Sequence, residues 1–149
     1  MEVLFEGQVR VHDEECRLIL TQTQAELVFK EKKCVYLYAE MLGAVSGSRV
    51  STFSILLYTF TAPKAKEREF QVGVTKVVHL KSDQFQLWVT HLQCLLLHGH
   101  LSPCPDAPIP RKRFLILVNP ASGKGQAVIK WNTAHPLFEA CALTVICTG

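Results

Sequence analysis

At 149 residues the chain can form one ordinary domain, or one small domain with a further segment. Hydrophobic residues make up 48% of it and charged residues 19%, a core-forming composition that excludes a disordered chain. The formal charge of +3 is mild and nowhere gathered into a basic block, so nucleic acid is not an expected partner.

The opening MEVLFEGQVR places Glu2 and Glu6 where a signal peptide needs an apolar core. No stretch approaches the roughly 20 apolar residues of a spanning helix. A cytoplasmic protein with reduced thiols is expected, with peripheral membrane association left open. Six cysteines (Cys16, Cys34, Cys94, Cys104, Cys141 and Cys147) include no CxxC pair. His91, His98 and His100 flank Cys94, but no second ligand pair completes a zinc set, so no metal site is expected.

In chain order, Val3, Phe5, Val9 and Val11 alternate imperfectly with polar residues, and Gly7 reads as a bulge. Leu18 and Leu20, then Leu27 and Phe29, keep the period of two. Val35 and Leu37 continue it after the Lys30–Lys33 turn. Met41–Ser48, with Gly43, Gly47 and two serines, reads as a loop. Phe53–Phe60 and Phe70–Leu80, the latter with Val72, Val74, Val77 and Val78, read as buried strands. The basic groups Lys30, Lys32, Lys33 and Lys64, Lys66, Arg68 are interrupted by glutamates and read as solvated turns. From Asp83 to His98 the period changes. Phe85, Trp88, Val89, Leu92, Leu95 and Leu96 form the stripe of an amphipathic helix. Asp83 is the expected N-cap with Gln86 as its capping-box partner, and Gly99 is the expected stop. The polar face, with Gln86, Thr90 and Gln93, lacks the cations of an interfacial membrane helix, so core packing is expected.

Six or seven short strands closed by one helix is the element order of a pleckstrin-homology-like domain, and residues 1–99 resemble one, with Trp88 on the closing helix. The expected fold is α+β: a pleckstrin-like bent sheet or barrel with a C-terminal helix, then a truncated α/β (βαβ) nucleotide-binding segment. Residues 100–110, rich in proline, read as a stiff linker, and residues 111–149 as the second unit.

In that second unit Phe114–Val118 is an unbroken apolar run, suited to a strand buried on both faces. Asn119-Pro120-Ala121-Ser122-Gly123-Lys124-Gly125 follows, then a helical stretch with Val128, Ile129 and Trp131. A strand, a glycine turn and a helix together present backbone N–H groups to phosphate. Gly123 and Gly125 allow positive φ, Ser122 offers a hydroxyl, and Lys124 offers a charge. A Walker A loop is excluded, because it needs glycine at Val118 and Ser or Thr at Gly125. The dinucleotide pattern is excluded by Val128. On spacing alone a phosphate loop and a plain strand-to-helix turn both stand.

The string FLILVNPASGKGQA resembles the first motif of the diacylglycerol-kinase-like lipid kinases, and within them the sphingosine kinases most. Trp131, His135-Pro136-Leu137 and Glu139-Ala140 resemble that family's first helix, and Leu143–Cys147 and Thr148 its second strand. The resemblance implies transfer of the ATP γ-phosphate, with Mg2+, to the hydroxyl of a sphingoid base, with ceramide as the alternative lipid. Asn119, Pro120, Ala121, Ser122, Gly123, Lys124 and Gly125 would then line the ATP pocket. It also implies parts that residues 126–149 do not contain: a second glycine-rich motif and a catalytic acid. No catalytic residue is therefore assigned, and the chain reads as a fragment, short isoform or truncated gene model that is inactive alone. The alternative is a non-enzymatic docking module for a protein or a membrane. Against a phosphoinositide headgroup stands the acidic loop His12-Asp13-Glu14-Glu15, which leaves Lys64, Lys66 and Arg68 as the expected cations.

Overall fold

The computed structural model describes residues 1–61, 71–104, 106, 113–141 and 144–148. Among them, Val3–Val11 (β1), Glu14–Thr21 (β2), Gln24–Val28 (β3), Lys33–Leu37 (β4), Met41–Ser46 (β5), Thr52–Thr61 (β6) and Gln71–Lys81 (β7) form one antiparallel sheet. Its order is β4-β3-β2-β1-β7-β6-β5, so β4 and β5 are its edges. The helix α1, Phe85–His98, follows β7. The fold of this region is thus α+β, as expected. The cluster Lys64, Lys66 and Arg68 and the linker prolines Pro105, Pro108 and Pro110 lie outside the described residues.

Hairpin geometry sets the first meander. β1 and β2 are joined by His12 and Asp13, at φ 49° and 64°. Positive φ at both central residues matches the right-handed twist of the strands they connect. At the next turn Thr21 Oγ1 accepts the Gln24 N–H at 3.3 Å, and the Tyr38 hydroxyl donates to the Thr21 carbonyl at 2.8 Å. This bond ties the segment after β4 back to β2.

The core lies between the sheet and α1. Leu18, Leu20, Leu27, Phe53, Ile55 and Leu80 contribute from the strands, and Trp88, Leu92 and Leu95 from the helix. Trp88 is fully buried, stacked on Phe53 (6.5 Å, 8°) with Phe5 edge-on at 4.8 Å. Its stripe-mates Val89, Leu92 and Leu95 are buried as the helical period requires, and Phe85 and Leu96 are partly so. His91 and Cys94 are buried with them, as part of the helix face that meets the sheet. Among the described residues no metal-ligand cluster occurs.

Several local expectations are corrected. Gly7 is not a bulge: it pairs with Leu18 in register, and the irregularity falls between Val3 and Phe5. Gly7 instead makes room for the tryptophan, since a Cβ there would stand 3.1 Å from Trp88 Cζ2. In β4 the phase is reversed. Tyr36 is buried while Val35 and Leu37 are exposed, because the aromatic ring fills the core more completely than either aliphatic chain. Phe29 lies beyond β3, where its N–H closes a turn on the Lys32 carbonyl at 2.8 Å.

Most of Met41–Ser48 is strand rather than loop. Residues 41–46 pair with β6, and an irregularity between Met41 and Gly43 takes up the glycine. Pairing partners distant in sequence override the loop signal of Gly43. Asp83 does not cap α1. Gln84 occupies that position without a side-chain cap bond, and its N–H is held by Ser82 Oγ at 3.1 Å. Gly99 ends the helix in the left-handed conformation, φ 75°, as expected.

Candidate functional site

Arg113–Leu117 (β8) and Thr144–Thr148 (β9) pair in parallel, with Gln126–Ala140 (α2) between them in sequence. The apolar run predicted a strand buried on both faces. Leu115 and Leu117 are instead 65% and 75% exposed. Among the described residues this sheet has two strands only, which is too few to enclose both of its faces.

The loop from β8 into α2 is organised by Asn119. Its Oδ1 accepts the Ala121 N–H at 3.0 Å and its carbonyl accepts the Ser122 N–H at 3.0 Å. The side-chain bond is the Asx turn that asparagine makes more readily than other residues. Pro120 follows at the turn, where a missing N–H and a fixed φ suit the chain. Ser122–Gly125 forms a short 3-10 turn, and the Gln126 N–H closes on the carbonyls of Gly123 and Ser122.

Gly123, Lys124 and Gly125 have φ of 60°, 58° and 85°. Three consecutive left-handed residues reverse the chain directly ahead of α2. Glycine adopts this conformation freely, but Lys124 does so at a cost of about 1–2 kcal/mol. A Cβ at Gly125 would meet nothing within 4 Å, and at Gly123 only Gln126 Cβ at 3.8 Å, so the loop faces open space.

All seven residues, Asn119, Pro120, Ala121, Ser122, Gly123, Lys124 and Gly125, are exposed in this one turn. The donor inventory differs from the sequence reading, because Asn119 already holds the N–H groups of Ala121 and Ser122. The donors best placed for an anion are those that an α-helix leaves without intrahelical partners at its start, here in the first turn of α2. The lone charge of the loop, Lys124, stands immediately ahead of them.

Farther along α2, Trp131 packs on His135 and Phe138 at 5.2 and 5.7 Å, and His135 lies 3.4 Å from Glu139. Thirteen residues of helix separate Glu139 from Gln126, a rise of about 20 Å, so its carboxylate cannot act on a group held at the loop. Pro136 sits inside α2, where it withholds a helical N–H.

A separate concavity, of about 410 Å3, is lined among others by Arg10, His12, Arg49, Ser54, His79 and Lys81. Sequence reasoning missed it, because its residues come from three separate stretches of chain, around the β1–β2 turn, the β5–β6 turn and the end of β7. One signal was available: His79 and Lys81 are two apart on β7 and share the face opposite the core residues Val78 and Leu80. Compared with protein-family models, curated proteins and solved structures, the chain matches none.

Proposed function

We propose that this chain carries the ATP-phosphate loop of a lipid kinase acting on a sphingoid base, converting sphingosine to sphingosine 1-phosphate. The observation that carries the reading is a conjunction. The string Asn119-Pro120-Ala121-Ser122-Gly123-Lys124-Gly125 resembles the first motif of the diacylglycerol-kinase-like family. The same residues form the left-handed turn that opens onto α2. ATP, with Mg2+, would supply the γ-phosphoryl group that passes to the primary hydroxyl of the lipid.

This chain's own residues would bind and orient. Asn119 holds the turn closed, Gly123 and Gly125 keep Cβ atoms away from the phosphates, and the start of α2 and Lys124 stabilise their charge. The base and the second glycine-rich motif that the reaction needs are not among residues 126–149, so the 149 residues alone are proposed to be inactive. In this reading the first region is a pleckstrin-like accessory unit. Its seven-stranded antiparallel sheet with one C-terminal helix supports that assignment.

The test is made on the protein recovered from its own cells with an antibody against residues 1–99. Intact mass and ATP-dependent phosphorylation of sphingosine are measured on the same sample. A species well above 16.7 kDa that phosphorylates sphingosine, and loses at least tenfold in rate when Gly123→Asp is introduced, supports the reading. A species of 16.7 kDa without kinase activity overturns it in favour of a docking module. The aspartate would place a carboxylate where phosphate is proposed to lie, in a conformation hostile to a Cβ.

A further inference from the structure

The sheet of the first region ends in two edges, and they are not alike. At β5 the edge is managed. Its register shifts between Met41 and Gly43, α1 lies against it, and Gln93 Nε2 donates to the Ala44 carbonyl at 2.9 Å. At β4, among the described residues, β3 is the only strand alongside.

The hydrogen-bond phase of β4 follows from its flanks. The Tyr38 N–H donates to the Thr23 carbonyl at 3.1 Å, and the Lys32 carbonyl accepts from the Phe29 N–H at 2.8 Å. Backbone groups alternate along a strand, so Cys34 and Tyr36 also turn theirs to β3. Lys33, Val35 and Leu37 therefore turn N–H and C=O to the free edge. The same residues carry exposed apolar side chains, with Val35 44% and Leu37 42% accessible.

The usual guards of an edge strand are proline, a bulge or a lysine held out over the edge. β4 has no proline, and its register with β3 is unbroken. Its single lysine, Lys33, is drawn back onto Glu26 of β3 at 3.0 Å, which leaves the edge open.

Charge selects the occupant. Ahead of β4 lie Lys30, Glu31 and Lys32, a net positive end, and beyond it lies Glu40, all exposed. Neither Lys30 nor Glu40 has an ion pair among the described residues. A second β4 laid antiparallel in full overlap sets Val35 opposite itself and Lys33 opposite Leu37 of the other copy. Each outward residue then exchanges both of its backbone bonds with a counterpart. The same register brings Lys30 of each copy toward Glu40 of the other, whereas a parallel pair would oppose Lys30 to Lys30. An apolar centre between ends of opposite charge is self-complementary, as a two-fold interface requires.

We propose that β4 is a self-association edge, at which two copies of this chain pair antiparallel about Val35 and join their sheets into one. The interface is small, so the dimer is expected to be weak and to form with rising concentration.

The test is sedimentation equilibrium of the full 149-residue chain over about a hundredfold range of concentration. Wild type is expected to rise from 16.7 kDa toward twice that mass. Val35→Pro removes an N–H that faces away from β3, so the fold should keep its circular dichroism while association weakens by about tenfold or more. Leu37→Lys, which sets like charges across the pair, should act in the same direction and decides the matter where the proline variant does not fold. Lys30→Glu and Glu40→Lys should each weaken association, and the double variant should restore it. A monomer at every concentration overturns the proposal. So does a dimer that survives Val35→Pro and Leu37→Lys in folded protein, or a double charge variant no better than the single ones. The loop at Gly123 takes no part, so Gly123→Asp should associate as wild type does, which separates failure here from failure of the kinase reading.

Discussion

His91 is 5% exposed, its ring 4.7 Å from Phe5, and its Nδ1 has no hydrogen-bond partner among the described residues. Burial alone holds its pKa below the ordinary histidine value of 6.5. Below pH 6.5 the unfolded chain therefore takes up a proton that the folded chain refuses. The contribution of a neutral His91 is fully present above that pH and is lost as pH falls toward the depressed folded value. Thermal unfolding followed from pH 7.5 down to 5 should show a falling midpoint, and His91→Leu should flatten this part of the profile. An unchanged slope in the variant would exclude His91 as its source. Lys124 makes a different residue-scale case. Its φ of 58° favours glycine, so Lys124→Gly should relieve about 1 kcal/mol of backbone strain. If the lysine serves phosphate, the same variant of the kinase should raise KM for ATP several-fold. Stabilisation without a change in KM would show that its charge is not used. The sequence singled out Lys124 for its charge but not for its backbone strain, and nothing in the spacing of His91 showed that its ring would be buried without a partner for Nδ1.

At the scale of elements, α1 packs on the sheet through Trp88, Val89, Leu92 and Leu95, and Gly7 on β1 is what lets the tryptophan approach. A Cβ at Gly7 would press on the Trp88 ring at 3.1 Å, and that ring is confined by Phe53 and Phe5. Gly7→Val should therefore cost about 1–3 kcal/mol through overpacking, and Trp88→Ala about 3–5 kcal/mol through the cavity it leaves. Chemical denaturation measures both, and a Gly7→Val variant as stable as wild type would show that the tryptophan has room to move. The stripe of α1 was legible because a helix that covers a sheet repeats its apolar positions every three or four residues. The role of Gly7 was not, because a glycine that accommodates a ring some 80 residues away looks the same as one that opens a bulge. The edge strand β4 was legible as a strand but not in its phase, since apolar residues occur on both of its faces.

For the molecule as a whole, the proposed phosphate loop and the core of the first region sit in separate stretches of chain and answer to different substitutions. The Asn119–Gly125 turn contributes no residue to the hydrophobic core of the first region. Gly123→Asp should accordingly leave the unfolding transition of that region within about 0.5 kcal/mol of wild type while it removes the proposed kinase activity. A large shift in that transition would mean that the loop has a structural role. What the sequence by itself determined is local. The period of two in the strands, the helical stripe from Phe85 to Leu96, the stop at Gly99 and the strand–turn–helix around Gly123 all follow from backbone sterics and side-chain spacing within about fifteen residues. Only the tertiary structure decided that Tyr36 rather than Val35 or Leu37 enters the core, and that Met41–Ser46 is a strand. It alone brought Arg10, Arg49 and Lys81 to the same cavity. Each of these depends on which distant strand lies alongside, and strand pairing is a choice made between segments that no local pattern contains.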